Sequence, residues 1–299
     1  MVLVLLRPPG IFRPAAALFA LLVCCRPSAG QRSGVRPYTL PGSEVHRIAS
    51  RAVGDTFEIS VALPPDYGES ERRYPVVLAT DADLAFAAEA QIARLMQFGG
   101  EAPAFILVGV GYGDFDVALR KRRRDLTPTV DGSSAACAAP GACGGAERFV
   151  TFIQSELLPF VEGRYRIDRE DMTLLGNSLG GLFDCYVLLR HPGLFRRYLV
   201  GSPTVTWDEG WALKAAPEAT PGPALETRVF VGVGGDEGDG VAGARSFVAR
   251  LRALGPEDLS VSFRVFEGER HMSAQPMIVS RGLHVLFEAA PGEVPNPRP

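Results

Sequence analysis

A hydroxyl becomes a nucleophile when a turn exposes it and a base stands ready to take its proton. The segment Leu174-Leu175-Gly176-Asn177-Ser178-Leu179-Gly180-Gly181 meets the first condition: an apolar run ends at a serine with a glycine two residues to either side. A strand that bends directly into a helix has room at the bend only for small residues. The spacing therefore predicts a strand over 172–175, Ser178 at an elbow, and a helix over 179–189. A chain with 33 Gly can form Gly-x-Ser-x-Gly by chance, and the alternative is an ordinary serine in a strand-to-helix turn. The other residues of a working site decide between the two.

Four histidines are candidates for the base. His46 precedes the first expected sheet strand, His191 in Arg190-His191-Pro192-Gly193 ends the helix after the elbow, and His284 falls within the amphipathic last helix, where the usual role is a partly buried packing residue. His271 differs: it follows a strand and the polar turn Glu267-Gly268-Glu269-Arg270 and precedes a helix, where a base projects over a sheet edge. The acid is sought between serine and histidine in chain order. There, Val229-Phe230-Val231-Gly232-Val233 runs into Gly234-Gly235-Asp236-Glu237-Gly238-Asp239. Glu237 is the first choice and Asp236 the second; a solvated or cation-binding turn is the alternative.

With these groups His271 takes the proton as Ser178 attacks an ester carbonyl, and a tetrahedral oxyanion and an acyl-enzyme follow. One oxyanion donor is expected from the Leu179 N–H, and a second from Gly111 or Tyr112 in the turn after the strand 105–110. Arg122 and Arg124 either hold a substrate anion or pin their loop through Asp125. Trp207 suits an aromatic ligand or a packed lid. Cys137 and Cys143 lie in a loop rich in Ala, Gly, Ser and Pro and are close enough to close a small disulfide ring. No histidine or second cysteine pair stands beside them in sequence, so a zinc site is not expected there; no metal or cofactor is expected elsewhere. Cys185 reads as a buried thiol.

The elements that must carry these groups alternate. Residues 56–63 alternate at period two, 74–78 and 104–110 are short β-rich runs, and 84–97 have helical spacing between them. Then follow a helix over 147–161, the elbow, strands near 198–200 and 229–233, a helix over 241–254, a strand over 260–266 and a helix over 275–289. Strands separated by helices predict an α/β fold, a mostly parallel sheet covered on both faces. Residues 31–45 read as an extended lead-in. Insertions at 111–146 and 202–227 are expected to rise over the carboxyl ends of the strands, where such sheets bind ligands. The basic run 120–124 reads as a solvated loop unless it meets a ligand.

At 299 residues, 46% hydrophobic and 22% charged, the chain supports one large domain over 31–290, and its formal charge of -3 gives no reason to expect a nucleic-acid partner. Arg7 and Arg13, the apolar stretch 14–25 and Arg26-Pro27-Ser28-Ala29-Gly30 have the order of a secretory signal peptide, so 1–30 reads as a cleaved leader and the protein as secreted or periplasmic. A retained anchor, or lipidation at Cys24, would instead put it on a membrane. Residues 291–299 read as a disordered tail.

In order along the chain, Leu63-Pro64-Pro65-Asp66-Tyr67, Tyr74-Pro75-Val76-Val77-Leu78 with Asp81, Val108-Gly109-Val110-Gly111-Tyr112, Arg124-Asp125-Leu126-Thr127-Pro128, the elbow, Gly201-Ser202-Pro203 with Trp207, Gly268-Glu269-Arg270-His271-Met272-Ser273 and Arg281-Gly282-Leu283 resemble the esterase D and enterochelin-esterase-like branch of the α/β-hydrolases. The likeness spans roughly residues 42–289. It implies an α/β-hydrolase fold, Ser178 as nucleophile, His271 as base and a small-molecule ester as substrate. Glu237 matches the family's acidic position, although Gly235 stands where relatives often have another Glu. Members act on catecholate siderophore lactones, other carboxylic esters and thioesters, so a siderophore-type or small aromatic ester is expected. An acyltransferase or thioesterase using the same triad is one alternative, and a non-catalytic exported binding protein is another.

Overall fold

Short β-branched runs and amphipathic helices alternate in the sequence, and the chain folds as that alternation requires. The computed structural model describes residues 37–216, 226–254 and 259–288. The expected leader at 1–30, the tail at 291–299 and the middle of the second insertion lie outside the described residues. In chain order the elements are β1 Ser43–Ser50, β2 Asp55–Ala62, β3 Tyr74–Ala79, α1 Ala82–Gly99, β4 Ile106–Gly111, α2 Phe115–Leu126, α3 Ala146–Phe152, α4 Leu158–Glu162, β5 Ile167–Asn177, α5 Leu179–Arg190, β6 Arg197–Gly201, α6 Trp207–Ala215, β7 Thr227–Gly234, α7 Asp239–Leu254, β8 Leu259–Phe266 and α8 Gln275–Phe287.

The strands form one sheet in the order β1-β2-β4-β3-β5-β6-β7-β8. β2 pairs antiparallel with both β1 and β4, and every other pairing is parallel. This is an α/β-hydrolase sheet. Both of its faces are covered, because side chains alternate across each strand. Val76 and Leu78 of β3 enter a core shared with α3, α5 and α7, while Val77 and Ala79 enter a second core filled by Phe86, Ala90 and Met96 of α1 and Ile278, Leu283 and Leu286 of α8.

Three parts of the sequence reading need correction. The lead-in at 31–45 runs into a strand: β1 begins at Ser43 and carries His46, whose ring nitrogen meets the Tyr165 hydroxyl at 2.6 Å. Its polar composition hides it, because an edge strand of this sheet buries few of its residues. The basic run 120–124 is helical, lying within α2, whose first turn is capped by Asp114 accepting from the Val117 N–H at 2.9 Å. The helix over 147–161 is divided into α3 and α4 by a wider π turn at Ile153–Leu157, next to Pro159.

Candidate active site

β5 delivers Ser178. The residue sits between that strand and α5 with φ 63 and ψ -116, a backbone state that costs on the order of 1–3 kcal/mol for a non-glycine residue. The surrounding structure holds it there: its N–H donates to the Gly201 carbonyl at 2.9 Å, and its carbonyl accepts from the Leu182 N–H at 3.0 Å and the Thr204 N–H at 3.1 Å. The small neighbours are required by contact. A Cβ on Gly176 would press on the backbone of Gly180, and one on Gly181 would stand 2.6 Å from the Gly201 oxygen. Leu179 occupies the first helical position, so its N–H belongs to the turn whose donors have no intrahelical acceptor.

The residues expected as acid and base, Glu237 and His271, follow β7 and β8. His271 Nδ1 lies 2.7 Å from Glu237 Oε2. A carboxylate only accepts, so Nδ1 is the donor of this bond and Nε2 is left as the ring's acceptor. The other oxygen, Oε1, accepts from the Gly234 N–H and from the Ser202 hydroxyl, each at 2.6 Å. Three donors thus fix the Glu237 carboxylate. Asp236, the second choice, is exposed, and its N–H donates to the Glu269 carbonyl at 2.9 Å.

Ser202 is the residue that sequence reasoning missed. It is buried, holds φ 36, and its N–H donates to the Gly232 carbonyl at 2.7 Å. It follows β6, which lies between the serine strand and the acid strand. Ser202 therefore connects the Ser178–Gly201 bond to the Glu237–His271 pair. The signal available was Gly201-Ser202-Pro203 itself, which read as part of a resemblance and not as a hydroxyl that holds the acid.

The second oxyanion donor cannot come from Tyr112. Its N–H donates to Asp83 Oδ2 at 2.5 Å, and the Gly113 N–H to Asp83 Oδ1 at 2.8 Å. Gly111 is in register with Glu58 of β2, and β3 separates β4 from β5. The strand beside the nucleophile strand is β3, and its following turn, Thr80–Ala82, is anchored by the Thr80 N–H donating to the Leu175 carbonyl at 3.0 Å. Strand order, invisible in sequence, is the reason for the misplacement.

Arg122 and Arg124 are both held by carboxylates. Arg122 Nε and Nη2 donate to the two oxygens of Asp81, each at 2.7 Å. Arg124 grips Asp125 the same way, with both bonds at 2.7 Å, and reaches Asp55 at 2.8 Å. Trp207 is buried, and its indole N–H donates to the Thr129 carbonyl at 3.3 Å, which ties α6 to the loop after α2. Cys137 and Cys143 form a disulfide within that loop, and Cys185 is a buried free thiol. Beneath the elbow lie buried acids. Burial, and next the charge of Asp81, pushes Glu89 up to about 8, and burial pushes Asp184 well above the carboxylate range. Among the described residues no cluster of His, Cys, Asp and Glu could hold a metal ion.

Comparison with known proteins adds to this geometry. The family described as "Putative esterase" matches residues 50–252. Ferri-bacillibactin esterase BesA of Bacillus subtilis is 32% identical over 265 residues, which cover 82% of this chain and 90% of that one. The siderophore enterobactin esterase of Emericella nidulans is 29% identical over 210 residues, covering 64% and 68%. Among solved structures, the BES protein from Bacillus cereus superposes with a TM-score of 0.75 at 27% identity, over 86% of this chain and 99% of that one. The siderophore hydrolase EstB from Aspergillus nidulans gives a TM-score of 0.71 at 25% identity, over 87% and 99%.

Proposed function

The chain belongs to this esterase family and is a carboxylic ester hydrolase, and on that premise we propose that it works through an acyl-enzyme on Ser178, with a siderophore-type ester as substrate. The observation that carries the mechanism is the Glu237–His271 pair at 2.7 Å, with the carboxylate's other oxygen held by Ser202 and Gly234. A histidine so oriented keeps its second nitrogen for the serine proton and, once protonated, is stabilised by the partly buried carboxylate beside it. His271 then returns the proton to the leaving alcohol, and water repeats the sequence to release the acid. Negative charge on the former carbonyl oxygen is met by the Leu179 N–H and by the turn after β3, not by the turn after β4. Loss of one such donor typically costs about 3 kcal/mol of transition-state stabilisation.

The substrate class is supported by relatives named for ferri-bacillibactin, enterobactin and triacetylfusarinine C. The pairing of Arg122 and Arg124 with carboxylates argues that neither serves as an anchor for a substrate anion. We also propose that the chain is exported, because a disulfide such as Cys137–Cys143 persists where the surroundings are oxidising. The substrate is tested by assaying short aryl esters, catecholate trilactones and acyl thioesters with wild type and Ser178→Ala. Trilactone turnover that disappears in the variant is expected. Turnover of simple aryl esters alone would remove the siderophore assignment.

A further inference from the structure

Asp81 is an outlier on two counts. It is an aspartate in the left-handed region, φ 59 and ψ 38, at the start of α1, and it is a buried carboxylate next to the place where the reaction develops negative charge. A Cβ added to Gly180 would stand 3.2 Å from Asp81 Oδ2. The carboxylate thus lies against the first turn of α5, the turn that begins with the Leu179 N–H. Left alone, its charge would oppose an oxyanion there, and its backbone would relax toward a less strained state.

Arg122 answers both problems. Its guanidinium takes both Asp81 oxygens at 2.7 Å, and Nη2 also lies 3.4 Å from the carbonyl oxygen of Asn177, the residue before the nucleophile. The pair is largely enclosed, with side-chain exposures of 12% for Arg122 and 8% for Asp81. A planar fork bonded at two points fixes direction as well as distance, which an ammonium does not do. One side chain therefore ties the turn after β3 to the elbow after β5, the two segments between which the oxyanion must sit.

We propose that Arg122 is a positioning residue for the oxyanion hole: through Asp81 and Asn177 it sets the spacing of the two donor-bearing turns and neutralises the carboxylate beside them. This rests on the reading of Ser178 as the nucleophile. The consequence is a uniform loss on removal. Every ester suffers equally in kcat whatever its charge, because the oxyanion is common to all, and ground-state binding is left nearly alone.

The test uses the full chain with Arg122→Lys, Arg122→Met and the double variant Arg122→Met/Asp81→Asn, assayed on para-nitrophenyl acetate and on the anionic para-nitrophenyl hemisuccinate, with thermal melts to establish folding. Arg122→Met is expected to lower kcat about a hundredfold on both esters, with KM within about threefold on each. Arg122→Lys keeps the charge but loses the fork, and is expected to lower kcat about tenfold on both. The double variant removes the bare carboxylate and is expected to recover about fivefold or more over Arg122→Met. Should Arg122→Met fail to fold, Arg122→Lys decides. Wild-type kcat in a folded Arg122 variant overturns the proposal, and so does a defect confined to hemisuccinate and expressed as a raised KM, the mark of a substrate-anion anchor. Hydrolysis that persists in Ser178→Ala would instead show that the underlying reading of the nucleophile is the part that fails.

Discussion

An acid that orients a histidine must itself be held, and the two oxygens of Glu237 divide these roles. Oε2 faces His271, while Oε1 is fixed by Ser202 and Gly234. The sequence contains two adjacent acids, Asp236 and Glu237, in one glycine-rich turn, and composition alone could not separate them. The turn does so physically: the Gly234 N–H folds back onto the Glu237 carboxylate, while the Asp236 N–H is engaged by the Glu269 carbonyl and its side chain faces solvent. Steady-state kinetics across pH on three variants tests this arrangement. Glu237→Gln is expected to lower kcat by about a hundredfold or more, and Asp236→Asn by less than about twofold. Ser202→Ala removes a donor that draws charge from the carboxylate facing His271. It should lower kcat about tenfold, because the carboxylate then holds His271 less firmly. Equal effects at 236 and 237 would contradict the assignment.

At the scale of elements, what was legible followed from burial. β3, β4, α5 and β7 are covered by neighbours, so their apolar runs stand out, and the elbow inherits its clarity from them. β1 and α2 did not stand out, for opposite reasons. β1 lies at the edge of the sheet with four of its eight residues exposed. α2 is held by charge: Arg122 and Arg124 bind carboxylates from β2, from the turn after β3 and from their own helix, and nothing in a run of basic residues reveals distant acids. The loop after α2 is pinned through Trp207 and closed by the Cys137–Cys143 bridge, whose two cysteines are both buried. Replacing both cysteines by alanine is expected to destabilise the fold by about 2 kcal/mol, from the entropy of a short loop in the unfolded chain. Chemical denaturation of the two forms measures it. An unchanged midpoint would mean that packing around Trp207 holds the loop without the bridge.

The whole molecule keeps acids where water does not reach. Glu89 is 2% exposed, and burial followed by the charge of Asp81 raises it to about 8, against an ordinary 4.5. Between those two values the unfolded chain loses a proton that the folded chain keeps. The contribution of Glu89 to stability is therefore complete below about pH 4.5, declines as pH rises, and is gone above about pH 8. Glu89→Gln abolishes that titration, so its stability relative to wild type should improve by about 2–4 kcal/mol between about pH 5 and pH 8, as read from denaturant midpoints. Parallel curves would show that Glu89 ionises normally. The proposed mechanism rests on a covalent bond at one atom, and trapping that bond is the most direct test. Wild type mixed with an activated aryl ester, quenched in acid within the first turnover and digested, should yield a peptide heavier by one acyl group, with the modification on Ser178, and Ser178→Ala should yield none and turn over no ester. An acyl group on any other residue, or turnover by the alanine variant, would contradict this mechanism.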